Sequence, residues 1–548
     1  MSYSTNSDVQ FGTLRSFLWP IHSYELKKFL PMMLMLIFIC FNYSILRNLK
    51  DSIVITTSGA EIIPFIKMWV LLPMAIAMTV LFASLSNRYS QEKVFYIMIS
   101  IFLVFFALFA FVLYPLRDLF HPHDLTNRLG AYLPPNVVGM CKWFIALFEN
   151  WVLTLFYVMA ELWAAMILNV CFWGFANEVT SVREARRFYG VFGIGSNIAA
   201  VIAGLASICF IASGNRSSTE LLKLALTEDA KEAIWQQQLG YMMMLIIASG
   251  LLTIAVFYWM NRKVLTDAAF AELHQASRPA RLNGKKKKQS LSESLSYLKN
   301  SKYLICIATM VIGYNLSIHL VELVWKDQLS QLYPMKSDYM SFMSYLTLTM
   351  GVIATLTAFC IPRIISNWGW TTTALLTPIT MGITSACFFI FLFFRQNLEP
   401  LTILMGTTPL VIAAYIGFVQ NCFSKAAKYS IFDATQQMAY IPLDHESKLK
   451  GKAAIDGIGS RLGKSGGSLI HTGLLMIFHS LSASSPYVAC ILLFVIIGWV
   501  IAVRSLGVQF HSLTTTGSST PAAQPEVELS PAISTSASVA ATPLLAKG

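Results

Sequence analysis

The sequence predicts an all-α polytopic membrane protein, and three observations carry that prediction. Of its 548 residues, 55% are hydrophobic and only 12% charged, about half the charged share of a soluble domain. Twelve apolar runs approach the roughly 20 residues that cross a bilayer as helix. With the N-terminus placed inside, 28 of the 40 lysines and arginines fall in inside segments, the positive-inside bias of a multi-span protein.

Taken in order, residues 1–29 form a polar, amphipathic cytoplasmic N-terminus. It lacks an apolar stretch followed by a small-residue cleavage site, so no cleaved signal peptide is expected. The first half, 30–260, holds runs at 30–46, 64–85, 95–115, 145–173, 189–212 and 239–260. A basic linker, 261–302, carries Lys285 to Lys288 and belongs in the cytoplasm. The second half, 303–511, holds runs at 303–325, 341–362, 371–394, 400–422, 466–482 and 485–506. The Ser/Thr/Ala/Pro-rich tail, 512–548, cannot bury a core, and a disordered cytoplasmic segment is expected. The nine cysteines show no CxxC spacing, which argues against a disulfide framework or a zinc site.

The two halves echo each other. FNYSI (41–45) with Lys50-Asp51 answers YNLSI (314–318) with Lys326-Asp327; GIGSN (193–197) answers GIGSR (457–461); Arg88 answers Arg363. The offsets are 276, 264 and 275 residues, in chain order. A parallel repeat of six spans predicts a major-facilitator-like 6+6 architecture of about 12 transmembrane helices. Its substrate site lies between the halves near the bilayer midplane.

An ionisable side chain at that depth costs about 2.5–3.5 kcal/mol on insertion scales and marks a functional site by default. Arg47 and Lys50 close the first span, Lys67 lies in the second and Glu161 sits deep in the fourth. Glu322 and Lys326 are four apart on the seventh and share a face. Lysine and arginine facing a cavity suit phosphate, while acids there would hold the cations without substrate or carry a proton. Asn42, Asn315, Tyr157 and Tyr314 are further cavity candidates.

The stretch from Lys448 to Gly467, KLKGKAAIDGIGSRLGKSGG, combines five cations, six glycines and one carboxylate, Asp456. It leads into the eleventh span, so backbone N–H groups at a helix start would face an anion beside Arg461 and Lys464. Gly463-Lys464-Ser465 ends like a phosphate-binding P-loop, but Ile458 stands where its first glycine belongs and no strand precedes it. An NTPase is therefore excluded. A membrane phosphatase would need a nucleophile or metal-ligand cluster, and the nine histidines are scattered.

The motifs LRNLKDS, AEIIPFIK, FYVMAELW, EARRFYGVFG, YNLSIHLVELVWK, QMAYIPLD and KGKAAIDGIGSRLGKSGG, spread over about residues 11–510, identify a family. The chain resembles the nucleotide transporters (ATP/ADP translocases) of obligate intracellular bacteria and plastids. That resemblance implies exchange of host nucleotide for the bacterium's own, and functional charges at Lys50, Glu161, Glu322 and Lys464. One departure stands out: the energy-exchanging members usually read R-D-T-K-D where this chain has Arg47-Asn48-Leu49-Lys50-Asp51.

The expected activity is therefore transport without bond breaking: ATP, or another ribonucleoside triphosphate, exchanged for ADP by alternating access. Proton-driven net import of nucleotides with broader base specificity is the alternative. The expected phosphate ligands are Lys50, Lys326, Arg461 and Lys464, and the expected gating or coupling acids are Glu161, Glu322 and Asp456. No cofactor and no metal are expected. The partners are nucleotides (ATP and ADP, with GTP, CTP and UTP as further candidates) and the lipid bilayer. A monomer in the bacterial inner membrane with both termini cytoplasmic completes the expectation, with no nucleic-acid polymer as partner.

Overall fold

The computed structural model describes residues 19–122, 135–215, 227–265, 301–404, 406–443, 451, 455 and 459–518. The basic run of the linker, the far C-terminal tail and Asp456 lie outside these residues. All regular structure among the described residues is helical.

Six helices build the first half: α1 (Leu26–Ser58), α2 (Ile62–Arg88), α3 (Gln91–Leu113), α4 (Trp151–Val179), α5 (Val182–Asn215) and α6 (Glu228–Val264). The second half repeats them as α7 (Lys302–Leu332), α8 (Lys336–Cys360), α9 (Asn367–Phe393), α10 (Pro409–Ala439), α11 (Ser460–Phe478) and α12 (Leu481–Ser518). Eleven of these are long and apolar enough to span a membrane; α11, with Arg461 and Lys464 in its first turns, is the exception. Exposed Val104, Leu251, Leu252, Phe494 and Ile501 give the outer surface the apolar character a lipid contact requires.

Local chemistry sets the ends. Gly59, at φ 82, closes α1 with its N–H on the Ile55 carbonyl at 2.9 Å, a conformation that glycine alone adopts without a Cβ penalty. Ser301 caps α7 by accepting from the Leu304 N–H, and Thr408 caps α10, with Pro409 at its first position. Gly369, at φ 74, breaks the helical rod between α8 and α9.

Three segments depart from the expected spans. The first was expected to end at 46, yet α1 runs to Ser58 because the charges of its outer half are neutralised inside the bundle. The fourth begins at Trp151, and a separate helix, Pro135–Glu149, precedes it. The tenth covers 409–439 rather than 400–422, with a short helix, Glu399–Leu404, ahead of it.

Since the spans alternate in direction, the loops at 59–61, 114–116, 333–335 and 479–480 share one face (the far face), and the ends of the chain share the other (the near face). Contacts between the halves are distributed unevenly along this axis. At the far face, Lys336 Nζ pairs with Glu232 at 2.8 Å, Ser337 donates to Gln238 at 2.8 Å, and the Leu481 N–H donates to Glu61 at 3.0 Å. At mid-depth α5 crosses α8, where Gly204 and Gly351 let the backbones meet: a Cβ on Gly204 would lie 2.9 Å from the Leu348 nitrogen. Asn48 adds a bond to Thr347 at 2.9 Å and one to the Met343 carbonyl at 3.2 Å. Near-face pairs stay within the first half: Lys28 with Glu184 at 2.9 Å, and Glu25 with Arg187. Among the described residues, no hydrogen bond or ion pair joins the halves at the near face. The halves are pinned from the far face to mid-depth and separate below it.

Candidate functional site

The mid-depth level holds an unbroken chain of six charges. Glu161 of α4 accepts from Lys50 of α1 at 3.0 Å, and Lys50 also holds Asp51 Oδ1 at 2.8 Å. The other Asp51 oxygen takes Lys326 of α7 at 2.8 Å. Lys326 continues to Glu322 at 3.0 Å, and the same Glu322 oxygen receives Lys425 of α10 at 3.0 Å. Three lysines meet three carboxylates, so the formal charges cancel. All six are largely buried; side-chain exposure runs from 1% at Asp51 to 28% at Glu161. Reciprocal pairing offsets the desolvation of charges in a low-dielectric interior, and removal of one member leaves its neighbour uncompensated.

The chain crosses the interface between the halves at one link, Asp51 to Lys326. The first half contributes acid, base, acid; the second contributes base, acid, base. Lys50 also stands 4.1 Å over the buried Tyr157 ring, a cation–π contact that fixes its ammonium. One turn toward the near face, Arg47 donates to the Thr347 hydroxyl at 3.2 Å, again across the interface.

A wide helical turn follows the charged residue on both α4 and α10. Residues Ala164–Phe172 and Lys428–Phe432 adopt π-helical hydrogen bonding. Each begins three residues after its charged side chain, Glu161 or Lys425. Both starts and both charges are separated by the 264 residues that separate the GIGS motifs. Such turns shift side-chain register within a helix and concentrate at functional sites.

Of the sequence candidates, the structure brings together Lys50, Lys326, Glu161 and Glu322, with Tyr157 beneath Lys50. Lys67 lines a neighbouring pocket with Glu322 and Lys326. Lys464 is exposed on α11, outside the six-charge chain. The Arg461 side chain and Asp456 lie outside the described residues. Asn42 instead clamps α1 to α6 through the Ile246 carbonyl at 3.0 Å, and Asn315 turns back to the Val311 carbonyl of its own helix at 2.9 Å. Tyr314 packs its ring on Phe432 and Trp499, in an apolar cluster.

The glycines of the stretch from Lys448 to Gly467 have another use than a phosphate cradle. Gly463 and Gly467 are four apart within α11 and face α7: added Cβ atoms would come 2.7 Å from Asn315 Cβ and 2.9 Å from His319 Cβ. They form a small-residue helix contact. Two residues of the charged chain escaped the sequence reading, Asp51 and Lys425. The repeat offset could have found the second, since 264 residues beyond Glu161 is Lys425.

Comparison with known proteins gives a consistent set of relatives. A family model described as TLC ATP/ADP transporter matches residues 4–510. ADP,ATP carrier protein 1 of Chlamydia pneumoniae is 43% identical over 503 residues, covering 91% of this chain and 94% of its own. The chloroplastic ADP,ATP carrier protein 1 of Arabidopsis thaliana is 41% identical over 493 residues, 89% of this chain and 74% of its own. ADP,ATP carrier protein 1 of Rickettsia prowazekii is 38% identical over 515 residues, 93% and 98% of the two chains. Among solved structures, a D-xylose-proton symporter superposes with a TM-score of 0.52 at 12% identity, covering 88% of this chain and 97% of its own. A bacterial homologue of the iron transporter ferroportin, in an inward-facing state, gives 0.50 at 12% identity, covering 90% and 100%. At such identity these two show the fold, the major-facilitator type, and nothing of the cargo.

Proposed function

Because the chain belongs to the TLC ATP/ADP transporter family, we propose that it is a nucleotide carrier that exchanges ATP for ADP across a bacterial inner membrane by alternating access. The observation that carries this reading is the Asp51–Lys326 bridge, which joins the halves at mid-depth within a fully compensated set of charges. A nucleotide polyphosphate offers lysines the same oxygen chemistry as the carboxylates that hold them. Its entry frees Lys326 and Lys50 from Asp51 and unlocks the halves. Its departure re-forms the bridge, so the empty carrier is held in one state. A substrate shifts the equilibrium only by its differential affinity for the two states, and here that difference comes from replacing the bridge. Arg461 and Lys464, toward the open near face, would meet the phosphates first.

With the termini cytoplasmic, the separated near face opens to the cytoplasm. The protein acts as a monomer and performs no bond-breaking chemistry. The test is uptake of labelled ATP into vesicles that contain the purified protein. Uptake that requires internal ADP or ATP is expected; uptake into empty vesicles that an uncoupler abolishes would overturn exchange in favour of proton-driven import. Competition by GTP, CTP and UTP in the same vesicles reads out base specificity.

A further inference from the structure

We infer that the pocket between α2, α7 and α11 is a phosphate subsite, and that its occupant is the terminal phosphate of a nucleoside triphosphate. The inference rests on the nucleotide-carrier reading above and adds to it the group that tells a triphosphate from a diphosphate.

Lys67, His319, Glu322, Lys326, Ser468 and His471 line the pocket. Lys67 is unlike the three lysines of the charged chain. Those each hold a carboxylate, whereas the Lys67 ammonium makes no hydrogen bond or ion pair among the described residues. It projects from a π-helical segment of α2, Ile66–Leu71. His471 is 1% exposed, and its ring approaches the backbone of His319 and Leu320, yet neither ring nitrogen completes a hydrogen bond. A buried imidazole left in that state calls for a partner that the protein does not supply. Ammonium, imidazole and the buried Ser468 hydroxyl therefore converge on one opening. Its only carboxylate, Glu322, is already engaged by Lys326 and Lys425.

The size and position suit a phosphate group. The opening encloses about 320 Å³, at the lower end of the range for small-molecule pockets and short of a whole nucleotide. It borders Lys326, so a phosphate chain displacing Asp51 from that lysine extends into it without a gap in positive charge. Lys67 belongs to the first half and the other liners to the second, so a phosphate here ties the two halves together on the far side of the bridge. Gly467 keeps α11 close enough to present Ser468 and His471, since a Cβ there would press on His319.

Binding of ATP, ADP, and ADP with saturating orthophosphate to the purified protein tests this, with Lys67→Gln and His471→Asn as separate variants and thermal unfolding as a check on folding. Loss of a charge-assisted contact predicts ATP affinity about tenfold or more weaker, with ADP affinity changed less than about twofold. If only the orthophosphate-dependent gain in ADP binding is lost, free phosphate is the occupant and the terminal-phosphate assignment falls. Equal effects on ATP and ADP, or no effect in either folded variant, overturn the subsite. A parent protein that binds neither nucleotide overturns the carrier reading itself, and the subsite falls with it.

Discussion

At mid-depth the first half reads Glu161, Lys50, Asp51, and the second reads Lys425, Glu322, Lys326, so the order is the same in space and the signs are reversed. Lys50 and Lys326 are repeat equivalents, but Glu161 is answered by Lys425 on the same turn of the equivalent helix. The two aspartates differ in a second way. Asp51 turns across the interface to Lys326, while Asp327 accepts from Gln328 and Gln331 of its own helix at 3.1 and 3.0 Å. A duplicated scaffold thus carries a net charge of −1 on one side of the interface and +1 on the other. An anion between the halves is drawn to the second, and the bridge forms between unlike partners.

The largest test of this contrast is Lys326→Ala, which strips Asp51 and Glu322 of a partner together. Breaking a buried pair costs about 3–5 kcal/mol, so nucleotide exchange in vesicles falls by at least about two orders of magnitude. Asp51→Asn keeps the shape and removes the cross-half charge. Exchange then drops about tenfold or more and uptake into empty vesicles appears. Asp327→Asn, its repeat equivalent, leaves both measurements within about twofold; equal effects from the two would remove the asymmetry as an explanation.

Asn48→Asp probes the hydrogen-bonded seam. A carboxylate cannot donate to the Met343 carbonyl, and a loss of about 1–3 kcal/mol in stability follows, read as a lower unfolding temperature. The smallest effect belongs to the near face. Burial pushes the Glu184 carboxyl up, but the Ser181 N–H at 2.7 Å and Lys28 outweigh it and hold it below its ordinary value of 4.5. A lowered carboxyl pKa means that the pair's contribution is present above that ordinary value and is lost as pH falls through the lowered one. The site is partly solvated, so Glu184→Gln costs about 0.5 kcal/mol or less at neutral pH. The variant and parent should converge in unfolding temperature on acidification.

Much of the architecture was legible because apolar length and repeat spacing are local properties. Lys50, Glu161, Glu322 and Lys326 stood out because a charge inside an apolar run is conspicuous. Asp51 did not, because the run was taken to end at 46, and a helix lengthened by internal charge compensation looks like a loop to hydropathy. Lys425 was hidden for a related reason. The inner face of α10 is polar, with buried Gln420, Asn421 and Ser424, so the apolar average slides toward the preceding segment. The glycines before Ser468 were read as an anion cradle because composition cannot tell a backbone that approaches a ligand from one that approaches a helix. The neighbouring residue against α7 decides between them.

The matched wide turns in α4 and α10 carry an implication for ancestry. A π-turn accommodates one extra residue in a helix, and one extra residue moves everything beyond it by about 100° around the axis. The same accommodation at the same register in both repeats is most simply a single event, older than the duplication that joined them. The opposed signs at Glu161 and Lys425 must then be younger. The ancestral six-helix unit already had its bent helix, and only after doubling did its two copies become electrostatic complements.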